Sequence, residues 1–140
     1  MYSKATETAI AATSRLAEVY DEADTRLSAA DIAANRGLQR PFVAKVLSTL
    51  ATAGIVRSVR GPGGGFALAR HPRDIRLNDV ARLFDREDPS DLCPFGGGIC
   101  GAGEPCPVHD RLADVRRAME VLLHETTFEI FRAAAAKRRS

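Results

Sequence analysis

Ser28-Ala29-Ala30-Asp31-Ile32-Ala33-Ala34-Asn35-Arg36-Gly37-Leu38-Gln39-Arg40-Pro41-Phe42-Val43-Ala44-Lys45-Val46-Leu47 is the stretch whose reading decides the fold. Ser28 and Asp31 have the form of a capping box: the serine oxygen accepts from the Asp31 N–H while the carboxylate reaches back and suits the positive helix end. The helix that begins there must stop at Gly37, which can take the left-handed conformation that closes helices. Leu38 then leads into Gln39-Arg40-Pro41, where the proline suits a first helical position. Phe42, Val43, Val46, Leu47 and Leu50 give this next helix a buried face until Gly54 ends it. Two short helices joined by a glycine-containing turn form a helix-turn-helix.

On the upstream side, Ala9, Ile10, Ala12, Leu16, Ala17, Val19 and Tyr20 recur at helical spacing between Glu7 and Asp24, which predicts a first amphipathic helix. On the downstream side, Ile55-Val56-Arg57-Ser58-Val59-Arg60 is rich in β-branched residues. Gly61-Pro62-Gly63-Gly64-Gly65 breaks that run, and Phe66-Ala67-Leu68-Ala69-Arg70 resumes an extended pattern. This predicts a hairpin with a glycine-rich tip, a wing. After a turn at Pro72-Arg73-Asp74, Leu77 to Phe84 reads as a short helix. Further on, Val108, Leu112, Val115, Met119, Leu122 and Thr126 alternate steps of four and three, the seam of a long helix that packs on another helix. The fold class predicted is mainly α with a small β-hairpin wing: a winged helix-turn-helix over 1–86, a cysteine-rich loop over 87–107, a dimerisation helix over 108–134, and a basic tail over 135–140 that frays.

Composition agrees with this plan. The 140 residues suffice for one domain plus an oligomerisation element, and 45% hydrophobic with 27% charged residues is a globular balance. No apolar run approaches the length of a membrane span, and the N-terminus lacks the pattern of a signal peptide, so the expected location is the cytoplasm with no membrane partner. The net charge of +2 does not by itself announce nucleic acid, so the placement of the cations must decide.

That placement favours double-stranded DNA. A helix-turn-helix reads bases with the N-terminal end of its second helix, and Gln39, Arg40, Phe42 and Lys45 occupy that end. Arg60 stands at the base of the wing, whose Gly61, Gly63 and Gly64 allow close approach to a phosphate backbone, and arginine suits a narrow minor groove. Arg57 and Arg70 flank it with further positive charge. Neither element is specific alone; their succession in this order is what points to DNA.

Cys93-x6-Cys100-x5-Cys106-x2-His109 places three thiolate donors and an imidazole in a segment rich in glycine and proline. An odd cysteine count without a secretory signal argues against a disulfide framework and for metal or redox chemistry. Structural zinc sites usually use tight Cys-x2-Cys knuckles, which are missing here, whereas spacings of five and six suit an iron–sulfur cluster; zinc stays the alternative. Cys106 beside His109 could also be a nucleophile pair, but no third orienting group accompanies it, so an enzyme is not expected.

Ser58-Val59-Arg60-Gly61-Pro62-Gly63-Gly64-Gly65 and the three-cysteine loop together resemble the IscR and NsrR type of winged-helix regulators, sometimes called Rrf-type, along nearly the whole chain. The resemblance implies a homodimeric transcriptional regulator on operator DNA, with a two-iron or four-iron cluster on the cysteines whose state changes promoter binding. It also implies a fourth ligand, His109 by the IscR pattern or Glu7 by the NsrR pattern. Ala44 stands where the IscR type carries an acidic residue that takes part in sequence choice, so promoter specificity does not carry over.

Overall fold

The computed structural model describes residues 3–21, 24–84 and 107–139; the cysteine segment lies outside the described residues. The elements run α1 (Lys4–Glu18), α2 (Ala29–Arg36), α3 (Arg40–Thr52), β1 (Val56–Val59), β2 (Gly65–Leu68), a 3-10 turn at Pro72–Asp74, α4 (Leu77–Ala81), α5 (His109–Glu125) and α6 (Glu129–Arg139). The architecture is a winged helix-turn-helix carrying additional helices.

Local chemistry explains the head. The Asp31 N–H donates to Ser28 Oγ at 3.0 Å and the Ser28 N–H donates to Asp31 Oδ2 at 3.1 Å, so the capping box is complete. Gly37 ends α2 at φ 67°. Val43, Val46, Leu47 and Leu50 turn one face of α3 inward, against Leu16, Ile32, Ile55 and Val80. α1 begins at Lys4, earlier than its apolar pattern suggests, because Ser3 Oγ caps it by accepting from the Thr6 N–H at 3.1 Å. It stops at Glu18 and does not continue to Asp24.

β1 and β2 pair antiparallel in the register Val56 to Leu68 through Val59 to Gly65. Leu27 bridges the far edge of β2, exchanging hydrogen bonds with Phe66 at 3.0 and 2.7 Å, so the wing is tied to the start of the helix-turn-helix. A side chain at Gly65 would stand 2.8 Å from the Leu27 carbonyl oxygen, which is why this strand must begin on glycine.

The helix read as continuous from 108 to 134 is two helices. Thr126 is extended, its carbonyl accepts from the Leu77 N–H at 3.0 Å, and the Phe128 N–H donates to the Ile75 carbonyl at 2.9 Å. This short antiparallel contact swings Phe128 into the core, where it is fully buried. Burying a phenylalanine outweighs one interrupted helical turn. Beyond the break, residues 135–139 are helical, with Ala135 buried and Arg138 bound to Glu18. The tail therefore docks where fraying was expected.

Candidate nucleic-acid interface

α3 presents its N-terminal end to solvent. Gln39, Arg40 and Lys45 are exposed and Phe42 is half-buried, while Val43 and Val46 on the opposite face hold the helix to the core. Gln39 is the N-cap residue, yet its side chain makes no capping bond, and the first turn contains no acid. The positive end of the helix dipole is thus left uncompensated and adds to Arg40, a combination that attracts phosphate.

Two classes of cation separate here. Among the described residues, no carboxylate pairs with Arg40, Lys45 or Arg60. By contrast Arg57, which flanks the wing, is engaged by Asp24, which also lies 3.7 Å from Arg26. Asp24 holds this position with a left-handed backbone, φ 60°. Arg60 is exposed beside the wing tip. Within that tip the Gly64 N–H donates to the Gly61 carbonyl at 2.9 Å, and a side chain on Gly64 would collide with the Val59 carbonyl. Gly61 and Gly63, both at positive φ, complete the tight turn.

Of the residues proposed for the metal, the three cysteines lie outside the described residues. His109 is the first residue of α5 and half-buried, and Glu7 is exposed in the first turn of α1. Among the described residues, no three His, Cys, Asp or Glu side chains gather into a metal site. Three thiolates with an imidazole or carboxylate are a donor set that suits iron–sulfur chemistry.

Sequence reasoning missed the feature that organises the rear of the head. Glu18, with 9% of its side chain exposed, receives Arg36 Nη2 on Oε1 and Arg138 Nη2 on Oε2, both at 2.7 Å, with Arg15 at 3.5 Å. Burial raises its carboxyl pKa, but the hydrogen bond and charge of Arg36, with Arg15, lower it more, leaving it below the ordinary value. An acid adjoining the apolar positions Leu16 and Ala17 of α1 was the available signal.

A helix-turn-helix with a cationic reading end and a glycine-built wing defines a winged-helix DNA-binding protein. The chain matches the family model described as Rrf2, iron-dependent transcriptional regulator, over residues 2–132. It is 32% identical over 108 residues to a chain of Aquifex aeolicus (strain VF5) assigned to the HTH-type transcriptional regulators, covering 76% of this chain and 75% of that one. It is 32% identical over 98 residues to IscR of Vibrio atlanticus (strain LGP32), covering 70% of this chain and 56% of the relative. The chain thus spans little more than half of that IscR's length. Its fold is similar to that of T. potens IscR, with a TM-score of 0.67, 26% identity, and coverage of 96% of this chain and 88% of that one. It is also similar to CymR, the global cysteine regulator of B. subtilis, with a TM-score of 0.73, 24% identity, and coverage of 96% and 97%. This chain belongs to the Rrf2 family of transcriptional regulators.

Proposed function

We propose that this protein binds double-stranded operator DNA as a homodimer in the cytoplasm, and that an iron–sulfur cluster on Cys93, Cys100 and Cys106 sets its affinity, with His109 or Glu7 as fourth ligand. The observation that carries the DNA reading is the N-terminal end of α3, whose Arg40 and Lys45 pair with no carboxylate among the described residues and whose first turn holds no acid. Gln39, Arg40, Phe42 and Lys45 meet the major groove, while Arg60 with Gly61, Gly63 and Gly64 meets the adjacent backbone and minor groove. Dimerisation rests on α5, which buries none of its residues and leaves Val115 and Leu122 of the heptad seam about half-exposed. Two heads joined along α5 would read half-sites roughly one helical turn of DNA, about 34–36 Å, apart or a multiple of it.

The cysteine segment lies in sequence between α4 and α5, so a change there bears on the start of the helix that sets the distance between heads. Bound, the cluster would supply a redox- and nitric-oxide-sensitive centre; the chain's own part is to hold it with thiolates and transmit the change through α5. Anaerobic purification followed by visible absorption with iron and sulfide analysis tests the cofactor, in the wild type and in Cys93→Ala, His109→Ala and Glu7→Ala. Brown protein with iron and sulfide, lost in Cys93→Ala, supports the cluster, and the other variant that loses or shifts the spectrum names the fourth ligand. Colourless protein overturns it in favour of zinc or a cluster-free thiol switch. Apo- and holo-protein of equal operator affinity across a salt series would overturn the switching role. Enrichment of a discrete duplex from a random pool tests the DNA reading itself.

A further inference from the structure

The Glu18 cluster joins three elements that are far apart in sequence. Arg36 is the last residue of α2, and Arg138 lies one residue from the end of α6. Glu18 is the last residue of α1, and its two carboxylate oxygens are divided between them. Arg36 Nη2 also donates to Ser14 Oγ at 3.0 Å, a second attachment to α1.

α2 has eight residues, of which only Ile32 and Ala33 are buried. Its C-terminal turn, which leads through Gly37 and Leu38 to the reading end of α3, is therefore fixed on the α1 side by a guanidinium held on a carboxylate. The same carboxylate is held from its other oxygen by α6. α6 in turn follows α5 through the Phe128 break, and α5 follows the cysteine segment. With both oxygens bound the carboxylate is held in orientation; without Arg138 only Oε1 stays bound, by Arg36 and the longer Arg15 contact at 3.5 Å, and the group can turn and shift Arg36 with it.

We propose that Glu18 is the joint through which α6 positions the helix-turn-helix, so that Arg138, Glu18 and Arg36 are positioning residues for sequence-specific DNA binding although none stands at the reading end of α3. The inference rests on the DNA reading above and adds to it a route by which the C-terminal helices act on the head.

Charge separates this role from a direct contact. Arg138 is 65% exposed at its side chain, so Arg138→Ala leaves the core intact. The test is a double-mutant cycle of Arg138→Ala and Glu18→Gln, measured as affinity for a duplex enriched by the wild type from a random pool and for the same duplex scrambled, with thermal melts to establish folding. The expected result is a roughly fivefold loss on the enriched duplex for Arg138→Ala, little change on the scrambled one, and no further loss when Arg138→Ala is added to Glu18→Gln. Arg138→Lys, which keeps the charge without the planar fork, should lose specificity as well. Equal losses on both duplexes, or the same loss in both backgrounds, would make Arg138 a plain phosphate contact and overturn the proposal. So would unchanged affinity with only a lowered melting temperature. If the wild type enriches no duplex, the DNA reading fails and this inference fails with it.

Discussion

At Gly64 the backbone approaches the Val59 carbonyl too closely for any side chain, and the turn must open if one is added. Gly64→Ala should therefore cost about 1–3 kcal/mol and weaken DNA binding further than the stability loss alone explains, because the wing tip changes shape. Urea unfolding and a binding titration on the same preparation would check both parts. Glu18 gives a second prediction at this scale. Its carboxyl titrates lower in the folded chain than when unfolded, so its stabilising contribution is fully present above the ordinary glutamate value of 4.5 and is lost as the pH falls through the depressed folded value. Urea midpoints measured from pH 7 down to pH 3 should fall more steeply for the wild type than for Glu18→Gln, and parallel curves would remove Glu18 from the acid response. Gly61, Gly63 and Gly64 of the wing were legible in the sequence because each answers a local backbone demand, whereas the need for Gly65 comes from Leu27 on a distant segment. Glu18 was not, because its two tightest partners lie 18 and 120 residues away.

Elements defined by their own ends could be read in advance. The Ser28–Asp31 box, Gly37 and Pro41 bound the two helices of the reading motif by chemistry confined to a few residues. Ser28→Ala should lower stability by about 1 kcal/mol and reduce DNA affinity with it, since an eight-residue helix has little hold on its own and its end sets where α3 starts. Thermal melts and titrations of this variant against wild type measure the two effects; an unchanged melt would show that tertiary contacts alone hold α2. The break between α5 and α6 had no such local mark. Thr126 and Thr127 continue a plausible helical pattern, and what interrupts it is the pairing of this segment with residues 75–77 and the burial of Phe128, both tertiary events. For the same reason the tail looked loose: the ion pair that docks Arg138 is supplied by α1.

At the scale of the whole molecule, the described residues leave apolar side chains of α5 and α6 exposed. Val115, Val121 and Leu122 are 46%, 54% and 49% exposed, and Ile130 on α6 is 59% exposed. Replacing Leu122 with Glu should give a monomer in sedimentation equilibrium, with operator affinity falling sharply while weak binding to scrambled DNA persists, because one head can still meet phosphates but two can no longer span paired half-sites. A dimer that survives Leu122→Glu would place the interface on another face. A different consequence follows from Phe128 and α6 closing the core against α1. α1 is packed by helices made after the wing, so a nascent chain that has emerged only as far as the wing carries a reading motif whose rear is still open. Operator-competent heads can thus form only after nearly all of these residues have left the ribosome, and synthesis halted partway would yield fragments unable to occupy a promoter.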